Sequence, residues 1–193
     1  MTPAATFAWG DRLPTLETER LRLRHLTERD VPALFAVFSD PEVMRYWSSP
    51  PQQSEAEAAR LLEEIHEAFL TRRLFQWGVA RREDDFVIGT ATLFRWDRAH
   101  RRAEIGYAIA RPSWGKGFAS EAVRELIRFA FRELDLHRLE ADADPRNAAS
   151  LRVLERHGFR REGLLRERYH QLGEIQDAAI LGLLRREWEA LDG

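Results

Sequence analysis

A chain of 193 residues with 44% hydrophobic and 32% charged side chains has the balance of one soluble globular domain with a sizeable core. A formal net charge of −2 provides no global basic field for nucleic acid, and the lack of cysteine rules out disulfides, thiolate metal sites and a cysteine nucleophile. No apolar run approaches the roughly 18 residues of a membrane span, and the N-terminus lacks the layout of a signal peptide, so a reducing cytoplasm is the expected setting. Residues 1–15 contain Pro3, Gly10 and Pro14 without a clear period and read as a loose leader, with Phe7 and Trp9 able to pin it to a surface. Residues 16–193 read as a single domain.

From Leu16 to Leu26, Leu21 and Leu23 alternate with Arg20, Arg22 and Arg24, the pattern of a strand with one wet face. Thr27, followed by Asp30 and Pro32, starts a helix carried by Leu34, Phe35, Val37 and Phe38. A helical turn over Glu42 to Trp47 follows. Ser54 then caps a longer helix with Ala58, Leu61, Leu62, Ile65, Ala68 and Phe69 on one stripe. Phe75 to Ala80, Phe86 to Phe94 and Arg102 to Ala110 read as strands; short turns at Asp84-Asp85 and Asp97 to His100 make them antiparallel neighbours. Ala119, Ala122, Val123, Leu126, Ile127, Ala130 and Leu134 set out a helix over 118–134, with Glu121–Arg124 and Glu125–Arg128 pairs on its outer face. A strand from His137 to Ala143 precedes a helix capped by Asn147 and ended by Gly158, and strands near 159–169 and 177–184 complete the pattern. The result is an α/β chain with a mixed sheet of about seven strands and flanking helices.

The chemistry gathers where the strand ending at Ala110 hands over to the helix starting at Phe118. Two glycines, Gly115 and Gly117, sit on that turn, and a helix start offers unpaired N–H groups and the positive end of its dipole. Without side chains at these positions a phosphate can reach the amides, so the turn reads as a pyrophosphate cradle. The plainer alternative is a turn and nothing more. A Walker A loop would need Gly at 110 and Ser or Thr after Gly-Lys, where Ala110 and Gly117 stand; the dinucleotide fingerprint would need Gly at 120, where Ser120 stands. Lys116, inside this loop, is the only lysine among 30 basic residues.

A second segment raises the odds. Asn147-Ala148-Ala149-Ser150-Leu151-Arg152-Val153-Leu154-Glu155-Arg156-His157-Gly158-Phe159, taken with Trp114-Gly115-Lys116-Gly117-Phe118-Ala119-Ser120-Glu121-Ala122, resembles the GNAT superfamily of acetyl-CoA-dependent N-acetyltransferases. Within it the chain is similar to the RimJ/RimL branch, which acetylates the N-termini of ribosomal proteins, and the run Leu16 to Arg24 looks like that branch's opening strand. The superfamily's usual Gln or Arg three residues before the first glycine is Pro112 here; Trp114 directly before Gly-x-Gly is a form common in the branch.

The resemblance implies a splayed pair of strands, here Ile105–Ala110 and Leu139–Ala143, with the pantetheine arm of acetyl-CoA inserted between them. Ile105, Tyr107, Ala108 and Ile109 would line the arm; Trp114, Gly115, Lys116, Gly117, Phe118, Ala119 and Ser120 would hold the diphosphate. Asn147 and Ser150 would meet the arm, and Arg156, with Arg146 and Arg152 as rivals, the 3′-phosphate. The reaction implied is direct attack of a neutral amine on the thioester. Glu104, between apolar Ala103 and Ile105, is the candidate base; its alternatives are an ion pair with Arg101 or Arg102, an anchoring role, or replacement by Glu162 or Asp177. Ser150 is the candidate acid toward the thiolate, or else a residue of the first helical turn that only satisfies a backbone donor.

The early helices would flank the acceptor groove, with Tyr46, Trp47 and Trp96 as candidate substrate contacts in loops near 41–53, 95–101 and 168–176. The expected acceptor is a protein N-terminus or, alternatively, a small-molecule amine such as a polyamine or aminoglycoside; no nucleic acid or membrane partner is expected, and the assembly is a monomer or homodimer. A non-catalytic acyl-CoA-binding module is the alternative from another class. His25, His66, His100, His137, His157 and His170 show no ligand spacing, so no metal is expected.

Overall fold

The computed structural model describes residues 7–47, 49–171 and 173–192. Its strands are β1 (Leu16–Glu17), β2 (Leu21–Arg24), β3 (Leu74–Arg81), β4 (Val87–Asp97), β5 (Arg102–Ile109), β6 (Arg138–Ala143), β7 (Arg160–Gln171) and β8 (Glu174–Leu184). They form one sheet of eight in the order β1-β2-β3-β4-β5-β6-β8-β7, in which β5 and β6 run parallel and every other neighbouring pair is antiparallel. The count exceeds the expected seven because the run 16–26 is not continuous. The Thr18 amide donates to the Leu21 carbonyl at 2.9 Å and the Thr18 hydroxyl accepts from the Leu21 amide at 2.9 Å, turning the chain so that Leu16 pairs with Leu23.

Helices α1 (Val31–Phe38), α2 (Pro41–Met44) and α3 (Glu55–Leu70) supply most of one apolar cluster, which Ala80, Val87 and Ala108 meet from the sheet. Helices α4 (Phe118–Arg132) and α5 (Ala148–Arg156) pack into a larger cluster with Trp77, Val79, Ala103, Ile105, Leu139 and Ala141. Alternation along the strands divides the residues between the two faces. A last helix, α6 (Arg185–Asp192), absent from the sequence pattern, follows β8 and stacks Trp188 on Phe131 at 5.2 Å. No helix among the described residues is long and apolar enough to cross a membrane.

Three expectations change. Residues 7–15 carry no helix or strand but are packed: Trp9 stacks on Phe75 at 4.2 Å, Leu13 is buried, and Trp77 Nε1 donates to the Pro14 carbonyl at 2.8 Å. Residues 1–6 lie outside the described residues. The supposed wet face of β2 fails at Arg24, which is 8% exposed and forks onto Asp30 through two 2.8 Å hydrogen bonds. On α4, Glu125 does pair with Arg128, but Glu121 turns inward toward Thr18 and Arg20 instead of along the surface to Arg124.

Two outcomes follow from this packing. Trp9→Ala is expected to lower stability by about 2–4 kcal/mol, the range of truncated core aromatics reduced for a half-buried ring, and a urea midpoint that does not move would return residues 7–15 to a loose leader. His25 stacks on His66 at 4.7 Å. Burial, then the second imidazole, then Arg12, push His25 down from 6.5 to about 4. In the window from 6.5 to about 4 the unfolded chain holds a proton at this site that the folded chain refuses, so stability falls as pH drops through it. His25→Phe is expected to flatten that part of the melting-temperature profile.

Candidate active site

The glycine turn is built for unusual backbone. Beyond β5 a short 3₁₀ turn over Arg111–Ser113 leads to extended Trp114, then to Gly115 at φ +73° and Gly117 at φ +82°. Both angles lie in the left-handed region that L side chains resist, so the backbone itself requires these glycines. Gly117 is the N-cap of α4 and Phe118 its first residue. The first amides of a helix have no partner within it, and here they border a cleft.

That cleft exists because β5 and β6 part. Their pairing covers Arg102–Glu104 against Arg138–Glu140. Past that point β5 continues beside β4 alone, and a space of about 540 Å³ opens between Tyr107, Ala108 and Ile109 on one side and Asn147, Ala149, Ser150, Arg152, Val153 and Arg156 on the other. Gly115, Gly117, Phe118, Ala119 and Ser120 also line it, as do Val43, Arg45, Tyr46 and Trp47. The Ala110 amide donates to Ile88 on β4, so by strand alternation the amides and carbonyls of Tyr107 and Ile109 point away from β4, toward the gap. Trp114 Nε1 already takes the Ile109 carbonyl at 2.6 Å.

Two hydroxyls meet inside. Tyr107 OH lies 2.9 Å from Ser150 Oγ and donates to the Ser150 carbonyl at 3.2 Å. Burial pushes the phenol up to about 12, with the Ser150 hydrogen bond acting the other way, so Tyr107 is a neutral donor at physiological pH. Asn147 caps α5 as its position in the sequence implies, accepting from the Ser150 amide at 3.1 Å.

Glu104 stands elsewhere. It is absent from the cleft lining and shares the opposite face of the sheet with Glu140 and Asp142. Its side chain is 14% exposed, and both oxygens accept from Arg95 Nη1, at 2.7 and 3.0 Å. The expected partners Arg101 and Arg102 bind Asp135 and Glu140 instead. Arg95 reaches Glu104 from a strand irregularity, where its own φ is +51°. The alternative bases are also engaged: Glu162 is gripped by Arg138, and Asp177 accepts from the Glu167 amide at 2.8 Å. Asp142 differs, because its hydrogen-bonding partner is the Tyr169 hydroxyl. Burial and the Asp142 carboxylate both push that phenol up.

The other candidates divide. Ile105 is buried under α4, Lys116 is outside the lining, and Trp96 packs on Phe75 at 5.4 Å and Trp9 at 6.0 Å, away from the cleft. Tyr46 lies in it, between the guanidiniums of Arg45 and Arg146 at 5.4 and 5.8 Å, and Trp47 leans on Phe38. Arg95 and Tyr169 fall in the expected acceptor loops near 95–101 and 168–176 but were not singled out there, and Asp142 was not named at all. Alternation of Glu140 and Asp142 with buried Leu139, Ala141 and Ala143 carried a signal for Asp142; nothing local marked the other two. Among the described residues no group of His, Asp and Glu is arranged to hold a metal ion.

Comparison with known proteins adds three findings. A family model described as an acetyltransferase (GNAT) domain matches residues 20–160. The uncharacterized N-acetyltransferase p20 of Bacillus licheniformis is 39% identical over 176 residues, 91% of this chain and 99% of that one, and the putative ribosomal N-acetyltransferase YdaF of Bacillus subtilis is 42% identical over 106 residues, 55% and 58%. The crystal structure of spermidine N-acetyltransferase from Vibrio cholerae in complex with CoA and spermine superposes with a TM-score of 0.79 at 26% identity, covering 89% of this chain and 99% of that one.

Gly117→Ala places a methyl group at φ +82°, 3.3 Å from Arg20 Nη2. The left-handed conformation makes this cost about 1–2 kcal/mol, measurable as a shift in the chemical denaturation midpoint; an unchanged midpoint would mean the turn does not need its glycine.

Proposed function

Since the chain belongs to the GNAT acetyltransferases and is on that ground an acyltransferase, we propose that it moves the acetyl group of acetyl-CoA to a primary amine by direct attack on the thioester. The cleft suits that co-substrate. Two left-handed glycines bare the amides at a helix start for a diphosphate, and unclaimed strand groups at Tyr107 offer an extended amide-bearing arm its hydrogen bonds. Acetyl-CoA supplies an activated acyl carbon and a thiolate leaving group. The amides of Gly115, Lys116, Gly117 and Ala119 hold the diphosphate; Arg152 and Arg156 line the same cleft for the 3′-phosphate. The Tyr107 and Ser150 hydroxyls, donors at neutral pH, stand ready to hydrogen-bond the departing sulfur.

The acceptor reading is a protein N-terminal α-amine, as in the RimJ/RimL branch, and the charge balance of the acceptor face carries it. Glu104, Glu140 and Glu162 each face an arginine, whereas among the described residues Asp142 has a phenol as its hydrogen-bonding partner. One carboxylate that no arginine hydrogen-bonds among the described residues, with Arg95 acting on it only through space, suits one ammonium; a polyamine needs several. Asp142 anchors the amine, and Glu104 accepts its proton through water when Arg95 yields part of its grip. The partial similarity to YdaF agrees with this acceptor; the spermidine enzyme among the structural relatives points to the small-molecule alternative.

A thiol-release assay with acetyl-CoA against N-terminal peptides, spermidine and aminoglycosides tests the proposal. Peptides are expected to be turned over best, and Asp142→Asn to raise the KM for the amine about tenfold, the cost of one charge-assisted hydrogen bond, with CoA affinity unchanged. Preference for spermidine would transfer the assignment to small amines. CoA binding without any thiol release would make the chain a binding module.

A further inference from the structure

Arg20 lies in the turn between β1 and β2, outside the cleft, yet its guanidinium grips the glycine loop from behind. Nη1 donates to the Lys116 carbonyl at 2.9 Å, Nε donates to Glu121 at 2.7 Å, Nη2 lies 2.6 Å from the same carboxylate, and Cζ sits 4.8 Å over the Phe118 ring. Glu121, in the first turn of α4, is 7% exposed and also accepts from the Thr18 hydroxyl at 2.6 Å and the Arg20 amide at 2.8 Å. Burial alone would push its carboxyl up, but the Thr18 hydroxyl, the Arg20 amide and the guanidinium outweigh it, leaving it lower than usual and charged.

A trans peptide points its C=O and N–H in opposite directions. With the Lys116 carbonyl tied to Arg20 on the outside of the loop, the Gly117 N–H is turned the other way, toward the cleft that Gly117 lines. Glycines on both sides of Lys116 leave little local resistance to a flip of that peptide. A flipped peptide would present a carbonyl oxygen where a diphosphate needs a donor.

We infer that Arg20, locked by Glu121, is a positioning residue for the coenzyme: it fixes the 116–117 peptide so that the loop amides face the diphosphate, without touching the coenzyme itself. This rests on the reading of the cleft as the acetyl-CoA site. It also accounts for the two separated stretches, 16–24 and 111–122, as parts of one device.

The test titrates CoA and pantetheine, which lacks the diphosphate, into the wild-type chain and into Arg20→Ala, Arg20→Lys and Glu121→Gln. Arg20→Ala is expected to weaken CoA about tenfold and pantetheine less than about twofold, the loss of one charge-assisted hydrogen bond acting only where the diphosphate sits. Arg20→Lys is expected to lose nearly as much, because an ammonium cannot serve Glu121 and the Lys116 carbonyl together as a fork does. Should Glu121→Gln not fold, the Arg20 variants suffice, since the Arg20 amide still supports Glu121. CoA affinity unchanged in Arg20→Ala, equal weakening of both ligands, or full rescue by Arg20→Lys would each overturn the inference while leaving the proposed function standing. A wild-type chain that ignores CoA would remove both.

Discussion

After Glu104 meets Glu140, β5 and β6 cease to pair, and the functional architecture depends on that parting. A sheet has strong reasons to stay closed, because each unpaired strand group carries a free-energy cost when water is excluded. Here other elements line the gap: the glycine turn and α4 follow β5, and α5 follows β6. The backbone groups of Tyr107 face the opening, and the Tyr107 hydroxyl bridges to Ser150 across it. A break in one ladder thus yields a cleft, backbone groups at Tyr107 that turn toward it, and a pair of hydroxyls at once.

Charge on the far face of the same strands is set by arginine–glutamate pairs. Arg95, Arg102 and Arg138 bind Glu104, Glu140 and Glu162, and such partly exposed pairs add little stability each. Each pair occupies the carboxylate it holds. Arg138 forks onto both oxygens of Glu162 through Nη1 and Nη2, a fixed geometry that a lysine could not supply. Asp142, held by a phenol, is left as the acidic group of different character on that face.

The position of α4 ties the core to the cleft. Phe129 on α4 meets Phe7 at 5.3 Å, Trp9 at 6.0 Å and Trp77 at 5.5 Å, so the helix that presents its N-terminus to the cleft is seated at its other end in an aromatic cluster. Arg20 and Glu121 secure the near end. A helix fixed at both ends aims its first amides in one direction, and preorganised donors of this kind avoid a reorganisation cost on binding.

From the amino-acid order alone, the helices around 31–38, 55–70 and 118–132, the central strands and the glycine turn were legible, because each rests on local periodicity, caps and breakers. Membership of an acetyltransferase family was legible too, through the resemblance that the Trp114–Ala122 and Asn147–Phe159 motifs carry. The break of 16–26 into two strands was not, since a hydroxyl bridging Thr18 to Leu21 leaves no periodic trace, nor was the packing of Trp9, whose partners are distant in sequence. Glu104 was identified as a strand carboxylate, but its bond to Arg95 depends on a positive-φ irregularity that propensity does not announce. Glu121 looked like solvated surface because helical spacing offered it Arg124; only the approach of the β1–β2 turn gave it Arg20. Sequence determined which local pieces form and which residue types they carry, through short-range sterics and patterning. Tertiary structure alone decided which charges meet, which backbone groups stay unpaired and which way a peptide faces, because those follow from contacts between segments a hundred residues apart.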